Sequence, residues 1–207
     1  MLHTHEGLGG RGVFTTRILR DSEVIKSIEQ GDIERELWAR DQALKNPNYV
    51  EIDKFDSKNR IPDAALNNIL NVYFGTASKT SSWFIGCFTS DWTPGAGALS
   101  NWAGATSGPL ATELPNASFT ESNRQLATFA AASNRKVVLT NPVSFTLASG
   151  VSDVTLYGAT LNSIATVAYN ATDQILAAAT RFESPKSGLG AGDKAEISYE
   201  FEANWSS

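Results

Sequence analysis

Histidine and cysteine, the residues most often used for acid–base and nucleophilic chemistry near neutral pH, are scarce in this 207-residue sequence. The only histidines, His3 and His5, lie at the N-terminus, and the only cysteine, Cys87, lies in the apolar run WFIGCF. A serine or cysteine nucleophile in the body of the chain therefore has no imidazole nearby in the sequence to act as its base. A single cysteine forms neither an intrachain disulfide nor a multi-cysteine metal cage. We expect Cys87 to be buried as a small hydrophobic residue.

The glycines of residues 7–12 match the letters of the dinucleotide-binding motif G-x-G-x-x-G. That motif binds a pyrophosphate only between a strand and the N-terminus of a helix. Here only six residues precede it and a strand-like run follows, so we interpret it as a flexible or closely packed backbone segment. His3 and His5 have no third ligand nearby. We therefore predict neither a cofactor nor a metal.

Paired carboxylates are the remaining catalytic option, because a glycosidase needs two of them across a cleft. Asp91, Glu113 and Glu121 are candidates by position. However, the chain carries 22 acidic residues and a net charge of -5, so surface acids are the simpler interpretation. We predict that the protein is not an enzyme.

The composition is that of a folded, acidic protein. Hydrophobic residues make up 42% and charged residues 19% of the chain, which is enough apolar material for a sizeable core. A pI near 5.1 argues against a surface that follows nucleic-acid phosphates. No run of 18 apolar residues and no signal-peptide core occurs. We expect no nucleic-acid or membrane binding, and synthesis in the cytoplasm.

The density of charged residues falls near residue 60. Roughly half of all charged residues lie before it, and Ala, Ser, Thr and Gly dominate after it. We therefore predict an N-terminal charged arm over residues 1–60 and a β domain over residues 61–207. The arm would include a strand-like run at 13–19 and a helix over 32–45. Removing residues 1–58 would then leave the β domain folded. The candidate partner-binding residues of the arm are Leu37, Trp38 and Leu44.

A clearer helix is predicted between Pro62, in its first turn, and Gly75, at its end. Its apolar residues recur at three- and four-residue spacing, and the stripe is wide enough to be core. We therefore expect the stripe to face the sheet. Its members are Ala65, Leu66, Ile69, Leu70 and Tyr73.

The chain from Ser82 onward predicts strands separated by turns. In the last of them Ile197, Tyr199 and Phe201 alternate with polar residues, which indicates one buried and one solvated face. The predicted fold class is mainly β, an antiparallel β-sandwich of jelly-roll type with one or two short helices. The predicted strands are 83–88, 125–131, 136–140, 143–148, 154–161, 174–182 and 194–203.

A long loop over residues 89–118 carries Trp92 and Trp102. Loops of this length are usually functional, disordered or laid over a surface. Tryptophan is enriched at interfaces, although packing on its own sheet would satisfy it equally well. Trp92 and Trp102 are therefore candidate partner-binding residues, with both placements open.

Several short segments, spread over roughly residues 60–203 and preceded by a Gly-rich start, resemble small virion proteins of tailed phages that are encoded among head genes. These proteins share short, mostly apolar runs and the spacing E-x5-[YF]-x4-R, matched here by Glu113, Phe119 and Arg124. The other matching segments are residues 9–14, 65–75, 82–88, 92–94, 154–159, 179–182 and 192–193.

The resemblance implies a cement or decoration protein that sits on the lattice of the major capsid protein as a β-sandwich, often as an oligomer. The expected location is the capsid surface of the virion, after synthesis in the host cytoplasm. Residues 31–58 are longer and more charged than in that family, which suggests an arm specific to this protein. Two alternatives are a tail or fibre component, and a carbohydrate-binding module that uses Trp92 and Trp102 as sugar-stacking platforms.

Overall fold

The computed structural model describes residues 8–21, 49–59, 61–94, 111–121, 123–166 and 175–205. These residues form nine strands, one α-helix and a short 3-10 turn at Asn116–Ser118. In chain order the elements are β1 (Leu8–Asp21), β2 (Tyr49–Lys58), α1 (Asp63–Phe74), β3 (Trp83–Phe88), β4 (Gln125–Ala127), β5 (Lys136–Val138), β6 (Val143–Thr146), β7 (Val154–Asn162), β8 (Leu176–Leu189) and β9 (Lys194–Trp205).

The strands form two antiparallel sheets. Sheet A has the order β2-β1-β9-β5, and β6 also pairs with β9. Sheet B has the order β4-β3-β7-β8. The mainly β, antiparallel sandwich predicted from the alternating pattern is confirmed. The jelly-roll form of the sandwich stays a prediction.

The core lies between the two sheets. Phe14, Ile18 and Ile197 enter it from sheet A, and Ile85 and Phe182 enter it from sheet B; all five are at most 1% exposed. Burial of one such side chain stabilises the fold by about 1.5–3 kcal/mol. The alternation that suggested a half-buried last strand thus corresponds to the inner face of β9.

The boundary predicted near residue 60 does not separate an arm from the sandwich, because β1 lies between β2 and β9 in sheet A. The charged residues of β1 and β2 are part of sheet A, where Arg17 of β1 pairs with both Glu51 and Glu196. Removing residues 1–58 would delete a central strand. The helix predicted over 32–45, with Leu37, Trp38 and Leu44, lies outside the described residues.

Helix α1 has the predicted limits, but the expectation that its apolar stripe faces the sheet is wrong. Pro62 precedes the helix in extended conformation, and Gly75 follows it. Ala65 is 3% exposed, whereas Leu66, Ile69, Leu70 and Tyr73 are 42–82% exposed. The two sheets already fill each other's inner faces, and α1 packs beside the edge strand β8. The stripe therefore has no place between the two sheets.

Strand β3 has the predicted limits, whereas β4 and β5 are shorter than expected. After Ala127 the chain leaves β3 and forms a bridge between Phe129 and Leu139, next to sheet A. Residues 125–130 therefore connect the edges of the two sheets. Close to this connection lies α1.

Candidate protein-binding surface

The three acids considered for catalysis each engage a different structural partner. Asp91 accepts a hydrogen bond from Arg181 Nε at 2.7 Å. Glu121 accepts bonds from the backbone nitrogen and Oγ1 of Thr146 at 2.9 and 3.0 Å. Glu113 lies in a buried ion pair, described next. Each of the three carboxylates therefore makes a contact within the fold.

Glu113 and Arg124 form a two-bonded ion pair at β3. Nε of Arg124 donates to Oε1 of Glu113 at 2.6 Å and Nη2 donates to Oε2 at 2.8 Å, and both side chains are at most 1% exposed. Nη1 of Arg124 also donates to the carbonyl of Ile164 at 3.1 Å. Gly86 makes room for the pair, since a Cβ there would lie 2.5 Å from Oε1 of Glu113. The pair ties β3 to the segment before β4 and to the turn after β7.

The electrostatics of this buried region do not produce a nucleophile. Burial raises the pKa of Glu113, and the hydrogen bond and charge of Arg124 offset this only in part. Burial, helped by the negative charge of Glu113, raises the pKa of the Cys87 thiol far above its usual range. Because the thiolate is the reactive form of cysteine, this environment favours the unreactive thiol form of Cys87. Its predicted burial is confirmed.

Trp92 packs on its own domain, which was one of the two placements left open. It is 9% exposed and meets Phe88 edge-to-face, with ring centroids 5.3 Å apart. Ala111, Leu176 and Ala179 complete this small cluster. Trp92 therefore offers little area to a partner. Trp102, the other candidate in the loop, lies outside the described residues.

The largest exposed apolar side chains of the described residues concentrate on α1. They recur at three- and four-residue spacing, so they share one side of the helix. We call these residues, together with the neighbouring Leu126 of β4, the α1 surface. Its members and their exposed fractions are Leu66 at 42%, Ile69 at 49%, Leu70 at 51%, Tyr73 at 82%, Phe74 at 81% and Leu126 at 56%.

A groove of about 730 Å³ adjoins the α1 surface. One wall is the inner side of α1, at Ala65 and Ile69, and the other is the segment that follows Leu126. Aromatic rings of Trp83 and Phe129 also line it, together with small Ala, Ser and Thr side chains. Its volume falls within the range of about 300–1,000 Å³ that ligand-sized sites occupy.

The α1 surface is uncharged in an acidic protein. Residues 64–78 contain no Asp, Glu, Lys, Arg or His, although the chain has a net charge of -5. Among the residues that line the groove, Lys79 alone is charged. Depletion of charge with retention of aromatic residues is typical of the centre of a protein–protein interface. Monomeric proteins rarely expose large contiguous apolar patches without a function for them.

The described residues contain no group of three His, Cys, Asp or Glu side chains that could hold a metal ion. Within the same residues, no helix has the length and apolar character needed to cross a membrane. No protein-family model and no curated protein matches the sequence.

Sequence reasoning identified the apolar stripe of α1 but assigned it to the core. The absence of charge over residues 64–78 was a signal in the sequence that this stripe is exposed. A surface helix that packs on its own domain normally carries charged or polar residues on its opposite face. In α1 five large apolar residues between Leu66 and Phe74 are exposed instead.

Proposed function

We propose that this protein is a structural, non-enzymatic virion protein that binds the outside of a tailed-phage capsid and decorates the lattice of the major capsid protein. The observation that carries the proposal is the α1 surface, because an uncharged, exposed apolar patch of this kind marks a contact with protein. On a capsid, every decorating copy is surrounded by other chains that can cover such a patch. The tailed-phage assignment itself rests on the resemblance.

The contacts between the resembling segments support the proposal. Glu113 and Arg124, the two charged residues of the E-x5-[YF]-x4-R spacing, are ion-paired beside Gly86 of another resembling segment. Gly158, in a third segment, lies so close to Phe88 that a Cβ would overlap its ring. Segments that are far apart in the sequence are therefore joined by direct contacts, as expected if they are parts of one structural signature.

Multivalency explains how modest contacts can suffice for this function. A capsid presents the same site many times, so each linked contact benefits from a high effective concentration once the first has formed. A decorating protein therefore needs a rigid body and exposed contact surfaces more than it needs a single high-affinity pocket. The sandwich supplies the body, and the α1 surface supplies a contact between neighbouring copies on the shell.

Two alternative functions make different demands on the same residues. A carbohydrate-binding module would present the Trp92 ring to sugars, and the burial of this ring against Phe88 counts against that use. A tail or fibre component would bind at few positions per particle. The number of copies bound therefore separates decoration from a tail role.

Cosedimentation of the purified full-length chain with capsids that lack it tests the proposal directly. We expect saturation at a fixed ratio to the major capsid protein, measured by quantitative gel electrophoresis. Binding of only a few copies per particle would favour a tail or fibre role instead. Absence of capsid binding, combined with retention on a glycan array, would favour the carbohydrate-binding alternative.

A second variant asks whether residues 22–48 contribute to capsid binding. Asp21 and Tyr49 are cross-strand partners at the end of the β1–β2 pair, so an Asn-Gly turn can join them in place of residues 22–48. This replacement removes Leu37, Trp38 and Leu44 while retaining β1 and β2. Weaker cosedimentation with an unchanged circular-dichroism melt would assign a capsid contact to this segment, and unchanged binding would exclude one.

A further inference from the structure

We propose that the α1 surface and the adjoining groove form an interface between two copies of this chain. The proposal does not depend on capsid binding, because self-association is measured on the purified protein alone. Three properties of the surface favour a second copy as its occupant: charge, shape and area.

Charge favours a second copy because the chain as a whole is acidic. Two molecules of net charge -5 repel each other when their charged faces meet. Residues 64–78 carry no charge, so two copies of this segment can approach without placing like charges in contact. A strongly basic partner would gain nothing from this surface, since it presents no acidic side chain to such a partner.

Shape favours a second copy because one chain carries both a projection and an apolar groove beside it. Tyr73 and Phe74 project from the last turn of α1, are 82% and 81% exposed, and contact each other with ring centroids 5.3 Å apart. The groove, which shares Ile69 and Leu126 with the α1 surface, is lined by Trp83 and Phe129 and has a volume of about 730 Å³, enough for aromatic side chains. The aromatic pair of one copy can therefore insert into the groove of the other.

Area also fits a stable pair. At about 200 Å² for each large apolar side chain, the exposed fractions of the α1 surface amount to roughly 700 Å² per copy. A standard interface buries about 800 Å² per partner. Reciprocal insertion, with Phe74 of each copy against Leu126 of the other, gives a closed arrangement in which the same patch serves on both sides.

Sedimentation velocity of the full-length chain over a concentration series tests the proposal. We expect a concentration-dependent oligomer for the native sequence. The double variant Tyr73→Ser/Phe74→Ser is expected to weaken self-association by at least about 30-fold, as expected for loss of an aromatic hot spot. Val138→Ser is the matched control: Val138 is 37% exposed, and on β5 it follows the groove-lining Val137, so it points to the other side of the sheet.

Disulfide trapping locates the interface even if the double variant does not fold. Phe74→Cys and Leu126→Cys chains, purified separately with tags of different mass and then mixed under mild oxidation, are expected to form a mixed covalent dimer. Pairing Phe74→Cys with Val138→Cys should give none. A native chain that stays monomeric at high micromolar concentration would overturn the proposal. So would an oligomer that neither responds to the double variant nor forms the Phe74–Leu126 crosslink.

Discussion

The buried region around Glu113 and the exposed α1 surface differ in both side-chain chemistry and environment. Glu113, Arg124 and Cys87 are residue types that perform chemistry in many proteins, and here they are at most 2% exposed. The α1 surface contains no ionisable group other than the Tyr73 phenol, and its side chains are 42–82% exposed. Among the described residues, these three reactive side chains are packed inside the fold, and the largest exposed apolar side chains lie on the α1 surface. The comparison therefore favours a binding role.

The cost of maintaining each region also differs. A buried ion pair has lost its hydration and is stable only while both partners remain in place. An exposed apolar stripe costs the isolated chain solubility, and burial against another chain recovers that cost. The first region is stable only as part of the folded sandwich, and the second gains stability only when another chain covers it.

The largest expected effect concerns sheet A, which lies opposite the sheet that carries the Glu113–Arg124 pair. Deletion of residues 1–58 should abolish cooperative unfolding, because it removes β1 from between β2 and β9 together with the buried Phe14 and Ile18. Thermal melts followed by circular dichroism measure this. The chain with an Asn-Gly turn in place of residues 22–48 is the control, and it should melt cooperatively. A folded deletion of 1–58 would restore the arm interpretation.

The next effect tests whether the ion pair at Glu113 is structural. Arg124→Met should lower the free energy of unfolding by about 3–5 kcal/mol, because it leaves the carboxylate of Glu113 buried without its partner. The double variant Glu113→Leu/Arg124→Met should recover much of that loss, since apolar replacement of a buried pair is often close to neutral. Urea unfolding measures both variants.

Asp91→Asn is the matched control for the ion pair, because it removes the negative charge from an acid–arginine contact whose acid is 63% exposed. Exposed pairs are worth about 0–1 kcal/mol. If Arg124→Met cost no more than Asp91→Asn, the buried pair would not be a principal support of β3.

Features of the fold that depend on neighbouring residues could be predicted from the sequence, and features that depend on contacts between distant segments could not. The strands of the second half were predictable because alternation is a local pattern, and β3 was predicted to the residue. Strand β2 was missed because five of its ten residues are charged, which is typical of an arm as well as of an edge strand with a solvated face. The pairing of β2 with β1 distinguishes an edge strand from an arm. This pairing joins residues that are far apart in the sequence, so a local pattern does not show it.

The candidate site shows the same limit. Periodicity indicated that α1 has an apolar stripe but not which neighbour covers it, so the stripe was assigned to the wrong surroundings. The spacing of Glu113 and Arg124 is visible in the sequence, but their pairing depends on the space that Gly86 leaves in another strand. Trp92 was equally compatible with an interface and with its own sheet until the position of Phe88 was known.

A smaller effect probes the space around Glu113 from the side of β3. Gly86→Ala should destabilise the fold by about 1–3 kcal/mol, because the added methyl group would lie 2.5 Å from Oε1 of Glu113 and the ion pair must move. Gly190→Ala is the control, since its nearest contact would be an ordinary 3.8 Å. Chemical denaturation compares the two. Equal stabilities would mean that the ion pair shifts freely, which contradicts a rigid buried contact.

The smallest effect on the isolated fold is expected on the α1 surface. Leu70→Ser should change the free energy of unfolding of the monomer by no more than about 0.5 kcal/mol, because Leu70 is already 51% exposed. Ala65→Asp, on the inner side of the same helix, should cost several times more, since it buries a charge at a position that is 3% exposed. Both are measured by urea unfolding at a concentration low enough to keep the chain monomeric.

At higher concentration, Leu70→Ser should lose stability relative to the native chain, because association stabilises the folded state by mass action. A loss at Leu70 that does not depend on concentration would instead place this side of α1 inside the fold of a single chain.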